Sequence, residues 1–359
     1  MPILIGSAAR SHGRREMPTP PHDRLERYSR QVRFPSLGQA GQRALLASKV
    51  TLCGCGALGT VLANHLARAG VGNLRIIDRD FIETHNLQRQ ILFDEEDVRD
   101  NLPKAEAAAR KLRLINSTIQ IEPVVTDIDH TNVLDLVGDV DLILDGTDNF
   151  ETRYLINDYA VSQNLPWIYA AAVASYAVTM NVLPGETACL ACIFPDFPKG
   201  MVETCDTSGI LNSAVTLVAS IAATEAMKLI VGAREKVRRT LLSYDVWTNQ
   251  HAEVSAVRPR ADCRACRQRD FIHLEGAGRP PISMCGRNSV QIHERQRPID
   301  FEEITRRLTP HGQVKHNQFV LKFWHAPYEM TLFPDGRAII KGTTDIAIAR
   351  SLYARYVGT

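Results

Sequence analysis

The 359-residue chain lacks an uninterrupted apolar run long enough to read as a membrane span. The best candidate, 210–230, carries Asn212, Glu225 and Lys228. A charge inside a span is costly, so a buried helix of a soluble protein is the expected reading. The N-terminus has Arg10, Arg14 and Arg15 among Pro, Ser and His, and no apolar run of the secretory type. A cytoplasmic location is therefore the default. Charge of one sign is also missing: 42 Lys and Arg stand against 40 Asp and Glu, a formal +2. Such a balance gives no general pull on nucleic-acid backbones. Cysteine is sparse, at eight residues, which excludes a disulfide framework in a chain this long. The eleven histidines form no metal pair of the HExxH kind. No internal repeat is evident.

What is present is an ordinary globular composition, 45% apolar and 23% charged, and enough length for about two domains. Residues 1–23 read as a flexible tail. Residues 24–46 read as helical, with a break at Gly38. Short apolar strands are expected at 49–53, 74–77, 119–125, 140–144, 167–171 and 178–183, with helices at 60–69 and 105–114. Strands alternating with helices predict a mostly parallel sheet covered on both faces. LEGAGRPPI at 274–282 reads as a linker. Beyond it, 283–359 reads as a small α+β domain. Asp300 and Glu303 bracket a helix start there, strands fall at 319–324, 330–333 and 337–341, and a helix at 346–357 closes the chain.

The chemistry concentrates where strands end. GCGALG at 54–59 follows one strand and opens a helix. Gly54 permits the tight turn, Gly56 lets backbone approach a phosphate, and Gly59 lets helix and strand pack closely. The helix N-terminus adds free N–H groups and partial positive charge. Asp78 closes the second strand, where a carboxylate can accept from ribose hydroxyls. A dinucleotide oxidoreductase and an ATP-handling enzyme both fit so far, as does a glycine turn in an unliganded α/β fold. Arg89 in NLQRQ at 86–90, Lys104 after Pro103, and Asp148 in DGTDN at 145–149 tilt the balance. Arg forks onto phosphate oxygens, Lys adds a point charge, and Asp can hold Mg²⁺. Hydride transfer has no need of this set. Taken singly, each is more often a surface charge.

Cys189 and Cys192 form one CxxC, Cys263 and Cys266 another, with 70 residues between them. Two such pairs can close one tetrahedral zinc site with no open position, a structural rather than catalytic arrangement. Cys53 and Cys55 border the glycine turn and are expected to be packed. Cys205 precedes the long apolar segment. It reads equally as a thiol activated at a helix start and as a half-buried structural thiol. Cys285 has no evident partner.

RYSRQ at 27–31, GCGALG, NLQRQ, DGTDN, the TC at 204–205 and the paired CxxC occur together in an order that resembles the MoeB/ThiF/HesA family, bacterial relatives of ubiquitin-activating enzymes. The resemblance covers roughly 24–275 and implies a Rossmann-like adenylyltransferase domain. The implied reaction is ATP-dependent adenylation of the C-terminal glycine of a ubiquitin-like sulfur carrier protein ending in Gly-Gly. Pyrophosphate leaves, and the acyl adenylate is open to a sulfur nucleophile. A sulfur-donor enzyme is a further implied partner. By the same resemblance Gly54, Gly56 and Gly59 line the nucleotide and Asp78 binds ribose. Arg89 and Lys104 bind phosphates, flanked by Asn86 and Gln90. Asp148 holds Mg²⁺, with Asn149 supporting its loop. Arg30 is implied to reach the ATP site of a second subunit, so a homodimer is expected. Cys205 matches the position that becomes covalently conjugated in some members. Residues 282–359 do not resemble the sulfurtransferase (rhodanese) domain of some relatives; partner binding is the expected role, with simple packing as the alternative. A dinucleotide oxidoreductase and a non-catalytic nucleotide-binding scaffold remain the competing readings.

Overall fold

In the computed structural model, the described residues are 25–195, 205–276, 283–284, 289–292, 299–334 and 336–358. The flexible tail expected at 1–23, most of the linker 274–282, and Cys285 lie outside them. Strands in chain order are β1 (Lys49–Cys53), β2 (Asn73–Ile77), β3 (Gln120–Val124), β4 (Leu142–Asp145), β5 (Trp167–Val173), β6 (Tyr176–Val182), β7 (Thr240–Asp245) and β8 (Gln250–Ser255). The C-terminal strands follow as β9 (Ser283–Met284), β10 (Ser289–Ile292), β11 (Gln313–His316), β12 (Leu321–His325), β13 (Tyr328–Leu332) and β14 (Ala338–Lys341). The described helices of eight or more residues are α1 (Gly38–Ala47), α2 (Ala57–Ala69), α3 (Lys104–Ile115), α4 (Phe150–Gln163), α5 (Asn212–Ile230), α6 (Phe301–Leu308) and α7 (Ile346–Tyr356).

The first sheet has the order β3-β2-β1-β4-β5-β6-β7-β8. From β3 through β5 all pairings are parallel; β5 through β8 pair antiparallel. The parallel half is the expected doubly covered sheet, and the antiparallel half extends it. The alternation of side chains along the central strands feeds two cores. Val50, Leu52, Ile76, Leu142 and Leu144 face one cluster, with residues of α2, α3 and α5. Cys53, Ile77 and Ile143 face the other, with α4 and the CxxC cysteines. Both faces are therefore buried, which is why these strands read as near-continuous apolar runs.

Helix α5 is the described helix apolar and long enough to cross a membrane by composition. It packs against α2, β5 and β6. Glu225, near its end, is buried and accepts from Asn181 Nδ2 at 2.6 Å, Arg238 N at 2.8 Å and Lys228 Nζ at 2.6 Å. A charge so satisfied is a feature of a protein core.

The second sheet runs β11-β12-β13-β14-β10-β9, and its described pairings are antiparallel. Asp300 caps α6 by accepting from the N–H groups of Glu302 and Glu303. Its core joins Ile304 and Leu308 of α6, Phe323, Met330 and Ile340 of the sheet, and Tyr353 and Tyr356 of α7.

Candidate functional site

The strand order reverses between β1 and β4, the crevice where open α/β sheets take ligands. Four strand ends are stitched together there. Gly54 N donates to Ile77 O at 2.7 Å, and Gly146 N donates to Cys53 O at 2.7 Å. Asp78 N donates to Val124 O at 3.1 Å. Gly54 has φ +88°, and a Cβ there would lie 2.7 Å from the Gly146 carbonyl. A Cβ on Gly59 would lie 2.1 Å from Gly54 O, so the first turn of α2 rests directly on the loop backbone. Gly56 differs: a Cβ on it would meet only Gln90 Nε2, at 3.9 Å. The space over Gly56 is open, and α2 begins there with no side-chain cap on its first N–H groups. Such a helix start attracts an anion.

The acidic and basic groups around this opening interlock. Asp78 accepts from Cys55 N at 2.6 Å and Asp80 N at 2.7 Å. Burial pushes its carboxyl upward in pKa, and the nearby Lys104 ammonium opposes that. Lys104, only 4% exposed, pairs with Asp80 Oδ2 at 3.0 Å. Gln90 is buried, and its Oε1 has no hydrogen-bond partner among the described residues. An unpartnered buried acceptor beside an open glycine backbone suits a polar ligand. Asn86 is buried and exchanges capping hydrogen bonds with Glu83. Arg89 lies one turn on, its Nη1 donating to His85 O at 2.8 Å.

Asp148 is exposed, in the loop at the carboxyl end of β4. Asn149 caps α4 by accepting from Thr152 N at 2.8 Å. Beneath the loop, Asp145 accepts from Thr147 N at 2.8 Å and from Arg153 Nε at 3.0 Å. Arg153 also donates to Thr147 O at 2.6 Å and lies over the rings of Tyr169 and Phe150. Burial opposes its charge, yet Asp145, Tyr169 and Asp148 together raise the guanidinium pKa. Sequence reasoning missed Arg153, and it missed Arg79. Arg79 pairs with Asp127 at 2.7 Å; burial opposes its charge, and Asp127, Asp80 and Asp148 raise its pKa. The available signals were the Asp78-Arg79-Asp80 run at the end of β2 and an Arg one turn into the helix after DGTDN. Replacing Arg153 by Met leaves Asp145 buried without its ion partner. Urea unfolding is expected to show a loss of about 3–5 kcal/mol; a loss below about 1 kcal/mol would mean the pair does not hold this loop.

Two predicted residues stand apart from this constellation. Arg30 is exposed on the short helix Ser29–Val32 and makes no ion pair among the described residues. Cys205 begins the helix Cys205–Ser208, which contacts β5; only its backbone is described.

The four CxxC cysteines converge, with ligand atoms within 4.8 Å of one another. Cys189 and Cys192 Sγ are 3.8 Å apart, Cys189 and Cys263 3.6 Å, and Cys192 and Cys266 3.3 Å. A tetrahedron of thiolates at zinc distance has edges of about 3.8 Å. The backbone N–H of Arg260 points at Cys192 Sγ from 3.3 Å, the kind of donor that steadies a thiolate. The cluster is compatible with zinc. Cys53 and Cys55 are fully buried, and burial pushes both thiols well up in pKa, so both are packing residues.

Comparison with known proteins agrees with this geometry. The sequence profile of the ThiF family matches residues 28–265. The sulfur carrier protein ThiS adenylyltransferase of Bacillus subtilis (strain 168) is 42% identical over 336 residues, 92% of this chain and 99% of its own. That match reaches past the first sheet into the C-terminal one. The sulfur carrier protein adenylyltransferase of Thermus thermophilus is 33% identical over 70% of this chain and 96% of its own. Among solved structures, E. coli MccB with ATP is similar at a TM-score of 0.59 and 26% identity, over 68% of this chain and 75% of that one. With a profile covering more than half of its length and a full-length relative this similar, the chain belongs to the ThiF family.

Proposed function

We propose that this chain is an adenylyltransferase that joins AMP from ATP to the C-terminal glycine of a ubiquitin-like sulfur carrier. The observation that carries the reading is the open backbone over Gly56 and the α2 start, bordered by Lys104, Gln90 and Asp78. The Bacillus and Thermus relatives are named for this activity, so a ThiS-type carrier is the first to test. In the reaction, a carboxylate oxygen of the carrier attacks the α-phosphorus as the bond to pyrophosphate breaks. The carboxylate is ionised at neutral pH, so no general base is required. Catalysis rests on positioning and on cations that meet the charge building on the phosphate. Lys104 and Arg89 supply them. The α2 N–H groups take phosphate oxygens and Asp78 the ribose. Asp148 would hold Mg²⁺, which neutralises phosphate charge when bound. Asn86, Gln90 and Asn149 keep these groups in place. Arg30 completes the site across a homodimer, and the cysteine cluster holds structural zinc. The division of labour follows the same boundaries: adenylation in 24–273, and the C-terminal unit from 283 onward beside it. Cys205 is a candidate for covalent sulfur transfer after adenylation.

The test is ATP–pyrophosphate exchange with a panel of Gly-Gly carriers. Exchange is expected with a ThiS-type carrier. ATP binding without exchange with any carrier would leave a nucleotide-binding scaffold. No ATP binding, with tight binding of NAD or a flavin, would return the site to dinucleotide chemistry.

A further inference from the structure

Residues 81–103 leave the sheet after β2 and return at Lys104, carrying Asn86, Arg89 and Gln90 between two legs. The legs meet at a single antiparallel bridge, Phe81 with Pro103, and at Ile82 N donating to Leu102 O, 3.3 Å. An excursion of this length with so small a base needs outside support to hold a fixed shape. The first sheet supplies part of it: Ile82, Leu92, Phe93 and Leu102 are buried in its core, Lys111 pairs with Asp97 at 2.6 Å, and Asn212 Nδ2 donates to Gln88 O at 3.3 Å.

The C-terminal unit adds contacts of its own, on both legs. Lys341 at the end of β14 pairs with Glu83 at 2.6 Å. Glu83 is the residue that exchanges capping hydrogen bonds with Asn86, so the contact sits at the start of the turn that presents Arg89 and Gln90. Phe333 meets the Phe81 ring at 5.9 Å between centroids, and Lys322 Nζ lies 6.0 Å from that ring. On the returning leg, Asn317 Nδ2 donates to Asn101 O at 3.1 Å and Asp100 O at 3.4 Å. Phe319 packs into the apolar cluster of the first sheet.

We infer that the C-terminal unit is a brace in cis for the nucleotide segment, with Lys341 and Asn317 as positioning residues for Arg89, Gln90 and Lys104. Only the naming of ATP as the ligand rests on the adenylation reading. The Lys341–Glu83 pair is about one third exposed on each side, so it contributes little to global stability. Its effect is local: it fixes the turn rather than the fold.

The test uses the full chain carrying Lys341→Met with Asn317→Ala. Backbone hydrogen exchange at 84–93 is expected to speed up about tenfold, with β1 and β4 unchanged. In the pyrophosphate exchange assay, kcat/KM for ATP is expected to fall about tenfold, with part of the loss in kcat because Arg89 and Lys104 act on the transition state. Lys341→Arg should restore most of both. Unchanged protection at 84–93 overturns the brace. If the double variant loosens everywhere, Lys341→Met alone, which removes no packing, decides by the same exchange measurement. If the wild type binds ATP but catalyses no exchange, the adenylation reading falls while the hydrogen-exchange result still settles the brace.

Discussion

Asp148→Ala is expected to abolish ATP–pyrophosphate exchange, by at least about a thousandfold, or roughly 4 kcal/mol of transition-state stabilisation. The side chain is exposed and supports no core. The loop that carries it is set from below, by the buried Asp145–Arg153 pair and by the Asn149 cap. Unfolding free energy should therefore change by less than about 0.5 kcal/mol, as for an ordinary surface substitution. An intact fold with lost chemistry is the signature of a residue that works on the reacting phosphates through Mg²⁺. Exchange near the wild-type rate at saturating Mg²⁺ would remove Asp148 from the metal role. What would remain is the charge it exerts on Arg79 and Arg153.

The second large effect is expected at the cysteine cluster. About one zinc per chain should co-purify, and Cys263→Ser should purify without it. Cys263 lies beyond β8, while Cys189 lies directly after β6, so the ion would tie a late segment to an early one. Other contacts support this join, among them Ala188 N donating to Ala256 O at 2.8 Å and the Asp158–Arg264 pair at 2.9 Å. A structural zinc contributes several kcal/mol, so the melting temperature should drop by about 10 °C or more. Removing the metal from wild type with a chelator should give the same drop. Metal analysis showing no zinc in carefully handled protein, with four titratable thiols, would refute the site.

The parallel half of the sheet is legible in the sequence because its central strands β1, β2 and β4 are largely buried and run into glycine or aspartate. The glycine turn is legible because it sits between such a strand and a helix. Helix α4 is not, and the reason is physical. Arg153, Asn157 and Asp158 are buried on it beside Tyr154 and Ile156, so no polar face alternates with an apolar one. Their polar groups are satisfied by Asp145, Leu190 N and Arg264, partners far away or in another element. Strand β8 escapes notice for the opposite cause: all of its residues are exposed, and in QHAEVS only Ala252 and Val254 alternate as apolar residues. Arg79 and Arg153 were missed because a lone arginine looks like a surface charge until the fold brings Asp127 and Asp145 to it. The cysteine pairs are the contrary case. Their spacing announces a cluster although 70 residues separate them, because thiols in pairs have few other uses.

The contact of Gly54, Gly59 and Gly146 has a consequence for how this site can change over generations. Each of the three backbones occupies the volume where the next residue's first side-chain atom would go. A crowded side-chain contact can be relieved by trimming a neighbour, so a harmful change there can find a suppressor. Here every close atom is backbone, and no trimming of a side chain can make room. Drift at the crossing is closed in both directions. New nucleotide preferences can arise only through the side chains around it, with Gln90 and Asp78 the nearest able to vary one step at a time.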